Sequence, residues 1–234
     1  MPNNEKTGSL TLVATPIGNS GDITIRAVES LNSATFVICE ERRIGSRLLK
    51  QLGINKTIIE LNEHNENDMV QDILFRLIDG ENLALISDCG TPVFSDPGRK
   101  LLALLYESGI PITSAPGPSS LMTAISLCPF NLDSFLFLGF LPPKTEQRTK
   151  MLAKYVHSSV PLILMDTPYR LNKLLNEVRD TFGKYQKVML ACDLTLPIEK
   201  IYLGSVQEVL KQVKERKAEF ILILDTPHQR QAHR

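Results

Sequence analysis

Short apolar, β-branched runs alternate with segments of helical periodicity along the whole chain, and this alternation limits the possible folds more than any other feature. In the first half, Leu10–Ala14, Thr35–Cys39, Thr57–Leu61, Leu83–Ile86 and Pro111–Ser114 read as strands. Between them, Ile23–Asn32, Ile44–Leu52, Asn67–Ile78 and Pro97–Ser108 carry apolar residues at helical spacing. Helical crossovers of this kind join parallel strands, so an α/β fold with a mostly parallel sheet and helices on both faces is expected. The strands are continuous apolar runs rather than alternating ones, as burial on both faces requires.

A punctuation cluster, Pro116-Gly117-Pro118-Ser119-Ser120, leads into a small apolar helix ending near Cys128-Pro129, and the pattern then restarts. Ser134–Phe140, Pro161–Met165, Lys187–Cys192, Glu199–Leu203 and Glu219–Leu224 read as strands, and Lys144–His157, Tyr169–Phe182 and Val206–Arg216 as helices. Ser205 and Glu208 stand in capping-box register before the last of these. The chain is therefore divided into a flexible start (residues 1–9), an N-terminal α/β domain (10–117), a C-terminal α/β domain with a mixed sheet (118–225) and a short basic tail (226–234).

Composition removes several classes. With 26 basic and 26 acidic residues in 234, the formal net charge is zero, which weighs against a protein that holds nucleic acid by bulk electrostatics. The longest apolar run, Phe135 to Leu141, is too short to span a bilayer, and no membrane association is expected. The N-terminus, MPNNEKTGS, lacks the apolar stretch of a secretory signal. Cys39, Cys89, Cys128 and Cys192 are widely separated, with no CxxC pair, so neither a metal site nor a disulfide framework is expected. Together these features point to a cytoplasmic protein with reduced thiols.

Ligands of open parallel sheets collect at the carboxyl ends of the strands. Three loops there are rich in glycine, proline and small polar residues: residues 15–22 after the first strand, 87–98 after the fourth and 115–120 after the fifth. Any one of them is equally explained as a tight turn, with Ser95 or Asp96 capping a helix that begins at Pro97. Three on one edge favour a ligand cleft. The chain has no GxGxxG after the first strand, no GxxxxGK[ST], no GxSxG and no HExxH. Residue types alone thus lead to a proline- and glycine-rich cleft for a small organic ligand.

The run LVATPIGNSGDITIRAVESL, then Glu40-Glu41-Arg42-Arg43, Glu63-His64-Asn65-Glu66, LISDCGTPVFSDPG and SAPGPSSLMTAIS resemble one known family. It is the bacterial small-subunit ribosomal RNA (cytidine-2'-O)-methyltransferases, within the tetrapyrrole methylase superfamily. FLGFLPPK at 137–144, TPYR at 167–170 and the AEFILIL strand extend the resemblance to roughly residues 10–225. It implies two α/β domains with S-adenosylmethionine (SAM) in a cleft between them, a homodimer, and methylation of a cytidine ribose in the 30S subunit. It further implies that Thr15, Pro16 and Gly18 line the cleft beside the methyl group, that Asp88, Gly90, Thr91 and Pro92 hold SAM, and that Pro116, Gly117 and Ser119 close the site.

A ribose hydroxyl that attacks a sulfonium methyl needs a base or a strong acceptor for its proton. Glu40, Asp22 and Asp88 are acidic candidates by loop position, and His64 is a fourth in a family-like segment; the sequence does not choose among them. Arg42, Arg43, Arg47 and Lys50 fall on one expected helix and are candidates for RNA phosphate, with a solvated helix face as the alternative. A second basic cluster, Lys144, Arg148, Lys150 and Lys154, falls on another expected helix. The chain departs from the family where Arg42 replaces a small hydroxyl residue, where Cys192-Asp193-Leu194-Thr195-Leu196 lacks the basic residues of RELTK, and where it ends soon after the last strand. These departures leave two alternatives open: a methyltransferase for a small molecule such as a tetrapyrrole, and a SAM-binding protein without catalysis.

Overall fold

A computed structural model describes residues 7–226, which fall into two compact units meeting between Ser119 and Ser120. The basic tail expected beyond Thr226 lies outside the described residues. The flexible start expected for residues 1–9 does not extend to Gly8 and Ser9. The Gly8 amide donates to Leu77 O at 2.7 Å and that of Ser9 to Asn82 Oδ1 at 3.0 Å. Only glycine fits at position 8, because a Cβ there would stand 1.8 Å from the carbonyl oxygen of Glu81.

The N-terminal unit runs β1 (Leu10–Val13), α1 (Ile25–Ser33), β2 (Phe36–Cys39), α2 (Arg42–Gln51), β3 (Thr57–Glu60), α3 (Glu66–Ile78), β4 (Leu83–Ile86), α4 (Arg99–Glu107) and β5 (Ile112–Ala115). Its five strands are all parallel, in the order β3-β2-β4-β1-β5. The two-residue period of the strands sorts the core. Ile38, Leu83 and Leu85 pack with Ile73, Leu77, Leu101 and Leu105 of α3 and α4. Val37, Cys39, Ala84 and Ile86 pack on the other face with Ala27, Leu31 and Leu49 of α1 and α2. The chain therefore leaves β1 and β2 toward one face and β4 toward the other. The carboxyl end of β4, between β1 and β2, is a topological switch point, where a crevice opens between diverging loops.

The C-terminal unit runs α5 (Ser120–Leu127), β6 (Leu136–Phe140), α6 (Thr145–Ala153), β7 (Leu162–Asp166), α7 (Leu171–Phe182), β8 (Lys187–Cys192), β9 (Lys200–Ser205), α8 (Val206–Val213) and β10 (Phe220–Leu224). Its sheet, β6-β7-β10-β8-β9, is mixed: β6 and β7 are parallel and every other pair is antiparallel. Leu164, Leu190 and Leu222 of the central strands pack against Leu152, Leu174, Leu175, Val178 and Val209 of α6, α7 and α8. The Ser205–Glu208 capping box forms as expected, with both reciprocal hydrogen bonds.

Two expectations are corrected. Helix α4 starts at Arg99, not Pro97, because Gly98 has φ +123°, which no helical residue adopts. Neither Ser95 nor Asp96 caps it; the Gly98 amide donates instead to Glu66 Oε1 of α3 at 2.9 Å. Arg148 is not part of a basic surface but is fully buried on α6, its guanidinium gripping Glu177 of α7 at 2.5 and 2.6 Å. A charged side chain can be buried this way only when each of its donors is met, and Arg148 also donates to the carbonyls of Pro142 and Pro143.

Candidate active site

Strand register sets the height of the three loops. Val13 pairs with Ile86 on one side and with Ala115 on the other, so Thr15, Asp88 and Gly117 each stand two residues past the paired edge. The loops are then tied laterally. The Thr15 amide donates to Gly90 O at 2.9 Å, its hydroxyl to Ser87 O at 3.0 Å, and the Thr91 hydroxyl to Pro118 O at 3.4 Å. Thr15 is buried and its hydroxyl is engaged, so its side chain holds the loop, and only its carbonyl is left to face a ligand. Gly90 has φ +87°, and a Cβ there would meet Ile17 Cγ2 at 3.2 Å; Gly117 lies equally close to Ala14. Val93, a buried β-branched residue at φ +66°, marks backbone strain within the same loop.

A cavity of about 360 Å³ opens at this edge, between the loop after β1, the start of the loop after β4 and helix α2. Thr15, Pro16 and Gly18 line it on one side, Ser87, Asp88 and Cys89 on another, and Ile44, Gly45, Arg47, Leu48 and Gln51 form the α2 wall. The sequence reading missed most of that wall. The signal was Gly45: inside a helix, where glycine is disfavoured, it lets α2 lie against β2, since a Cβ would come within 2.8 Å of Cys39 Sγ. Gly90, Thr91, Pro92, Pro116, Gly117 and Ser119 do not line this cavity; they form the adjoining part of the same edge.

Glu40 follows β2, one strand from Asp88, and is half-buried. Its carboxyl is pushed above the usual range by burial first, and then by the like charges of Asp96, Asp88, Glu63 and Glu41. Burial likewise raises Asp88, against a hydrogen bond from the Glu41 amide at 3.3 Å, and raises Asp96, whose Oδ2 is buried without a partner. None of the three carboxylates has a cationic partner among the described residues. Beneath them Cys39 is pushed up to about 12, by burial and then by Asp88 and Glu60, which makes it an inert core thiol.

The other acidic and imidazole candidates lie apart from this group. Asp22 is exposed in a short 3-10 turn, Ser20–Asp22, whose amide is held by Asn19. His64 is exposed, in a loop organised by Asn62 and Asn65. The basic helix α2 is also divided. Arg42 pairs with Glu60 at 3.2 Å and Arg43 with Glu41 at 3.0 Å, not with Glu40. Arg47 lines the cavity, and Lys50 lines a separate depression with Lys56.

The residues fit SAM. Its methionyl ammonium and sulfonium are cations, and a cation placed among Glu40, Asp88 and Asp96 offsets the burial and, after it, the like-charge repulsion that raise Glu40. Exposed loop backbone at Gly18 and Thr91 offers amide groups for its polar edges. The described residues hold no cluster of His, Cys, Asp and Glu suited to a metal ion, and no helix long and apolar enough to cross a membrane.

The chain is 35% identical over 221 residues to "Ribosomal RNA small subunit methyltransferase I" of Neisseria meningitidis serogroup B, covering 93% of this chain and 76% of that one. It is 37% identical over 222 residues to the protein of the same name from Escherichia coli O157:H7, covering 93% and 78%. Among solved structures, a uroporphyrin-III-C-methyltransferase from Thermus thermophilus shares the fold, with a TM-score of 0.62 at 18% identity, over 93% of this chain and 94% of that one. Residues 9–210 match the family described as Tetrapyrrole (Corrin/Porphyrin) Methylases. The chain belongs to the tetrapyrrole methylase family and is a methyltransferase that takes its methyl group from S-adenosylmethionine.

Proposed function

We propose that the protein methylates small-subunit ribosomal RNA in the cytoplasm, at the 2'-oxygen of a cytidine ribose, acting as a homodimer on the 30S subunit. One observation carries this reading: relatives 35–37% identical across nearly the whole chain bear the name ribosomal RNA small subunit methyltransferase I. The loops that organise the candidate site are those in which the chain resembles that family.

In this reading Thr15, Pro16, Gly18, Asp88, Gly90, Thr91, Pro92, Pro116, Gly117 and Ser119 hold SAM, largely through backbone groups. When bound, SAM supplies a methyl group on a positively charged sulfur, open to in-line displacement by a nucleophile. The chain's contribution is alignment of that methyl with the acceptor and exclusion of water. Of the candidates for the hydroxyl proton, Glu40 is best placed: it is half-buried, next to Asp88, and its raised basicity suits proton transfer. Its carboxylate would hold the 2'-hydroxyl proton as the oxygen gains its methyl group. Asp22 and His64, both exposed and in other surroundings, are less suited. Arg47, on the cavity wall, would meet a phosphate beside the target nucleotide. Arg42 and Arg43, each held by a glutamate, and Lys50 would add to that face more weakly.

The test is methyl transfer from labelled SAM to 30S subunits that lack the modification, beside protein-free 16S RNA and a porphyrinoid. Label on the subunit, mapped to a cytidine ribose by mass spectrometry, is the expected result. Label on a base, or only on the porphyrinoid, would overturn it. Sedimentation at assay concentration checks the dimer.

A further inference from the structure

The TPYR segment, residues 167–170, resembles its family counterpart but has no place in the site described above. It follows β7 at the edge of the C-terminal sheet, and it is built to be rigid. Asp166, its side chain fully buried, accepts from the Thr167 amide at 2.7 Å and from Arg170 Nε at 2.6 Å through the same oxygen. Pro168 fixes its own φ, and the Arg170 amide closes the turn on Thr167 O at 2.9 Å. This frame holds an aromatic ring outward: Tyr169 is 79% exposed.

Lys217 comes to the ring from the entry to β10, 48 positions along the chain, because β10 runs antiparallel to β7 with Phe220 opposite Asp166. Its Nζ stands 5.0 Å from the ring centroid. Asn172 Nδ2 fastens the same turn to Arg216 O at 3.3 Å, and Arg216 is itself bound to Asp193 at 2.6 Å. Two well-separated segments are thus locked together to present one exposed ring with a cation against it.

A rigid, exposed aromatic ring beside a lysine is the arrangement that takes an unpaired base by stacking and its phosphate by charge. It also answers the neutrality of the chain, since stacking needs no excess of positive charge. We infer that Tyr169 and Lys217 form a stacking platform for an unpaired nucleotide of the RNA acceptor. This rests on the ribosomal RNA reading. Of the other tyrosines with a lysine against them, Tyr202 is buried, and Tyr185 is 78% exposed, but its cation is the adjacent Lys184 at 4.9 Å. Tyr185 serves as the internal control.

The experiment is fluorescence anisotropy of the full chain with a labelled single-stranded oligoribonucleotide, with SAM affinity measured in parallel. Tyr169→Ala is expected to weaken RNA binding roughly 5- to 150-fold, the range for one lost base–aromatic stack. Tyr169→Phe should retain the affinity, and Lys217→Gln should lower the slope of log affinity against log salt by about one. Tyr185→Ala and the SAM dissociation constant should not change. Wild-type affinity in Tyr169→Ala, equal loss in Tyr185→Ala, or no RNA binding by the parent chain would each overturn the platform. The function reading fails separately, through an absence of methylation on 30S subunits by a parent chain that still binds the oligonucleotide through Tyr169.

Discussion

The two sheets hold the loops at their carboxyl edges by different chemistry. In the N-terminal unit the loops after β1, β4 and β5 are joined by backbone carbonyls and hydroxyls, Thr15 to Ser87 and Gly90 and Thr91 to Pro118. In the C-terminal unit each corresponding loop is pinned by an arginine with a carboxylate. Arg148 with Glu177 holds Pro142 and Pro143, Arg170 with Asp166 holds the turn at 167–170, and Arg216 with Asp193 holds Ile198 O. At the first edge Glu40, Asp88 and Asp96 have no cationic partner among the described residues, whereas Glu177, Asp166 and Asp193 of the second are neutralised within the fold. A site for a cationic cofactor needs the first arrangement, and a fixed surface needs the second.

Removing one half of a buried pair tests the contrast most severely. Arg148→Ala leaves Glu177 charged and without its partner, and is expected to cost about 3–5 kcal/mol in urea unfolding. Replacing both, Arg148→Met with Glu177→Leu, should restore most of that loss. If the single variant unfolds with the parent, the pinning role of Arg148 is wrong.

Glu40 should respond in the opposite sense. Because its folded-state pKa is raised, the proton is held more tightly in the folded than in the unfolded chain. The associated stability is present below the ordinary carboxylate pKa and is lost as pH rises through the folded value, so charged Glu40 is a cost at neutral pH. Glu40→Gln should therefore melt higher than the parent at pH 7.5 and show no such gain at pH 4, while methyl transfer falls by about a hundredfold or more. In the parent, the rate should rise with pH across a carboxylate range displaced upward. A variant that melts lower at pH 7.5 would remove Glu40 from the like-charge group.

Smaller effects refine the comparison. Asp88→Ala should weaken SAM binding by calorimetry by about tenfold, in line with a lost charge-assisted contact of about 1–3 kcal/mol, with little change in melting. Unchanged affinity would take the loop after β4 out of the cofactor site. Ser205→Ala breaks the capping box of α8 and should cost about 1 kcal/mol in stability with no effect on SAM binding.

Much of the fold was legible because strand runs such as Leu83–Ile86 and Lys187–Cys192 are apolar on both faces, and because Ser205 and Glu208 announce their helix locally. The site was legible as loops, since glycine and proline mark the carboxyl edge. Less legible was the direction of individual side chains. Arg148 looked like one of four helix-surface bases, yet it is buried, because its partner Glu177 lies on another helix. Arg43 looked like a free base for RNA phosphate, yet it is paired with Glu41. Gly98 was hidden inside an apparent helix start, because its φ is set by packing against Val93 and Leu85 and by Glu66 of α3.

The sequence by itself determined the α/β alternation and the glycine- and proline-rich loops that gather at one edge. These follow from periodicity and from residues with restricted or permissive backbones, which act within a few positions of themselves. Only the tertiary structure decided which carboxylates share a site, which arginines are neutralised and which aromatic ring is held outward. Those outcomes depend on burial and on partners dozens of residues away, and a charged or aromatic side chain carries no local mark of either.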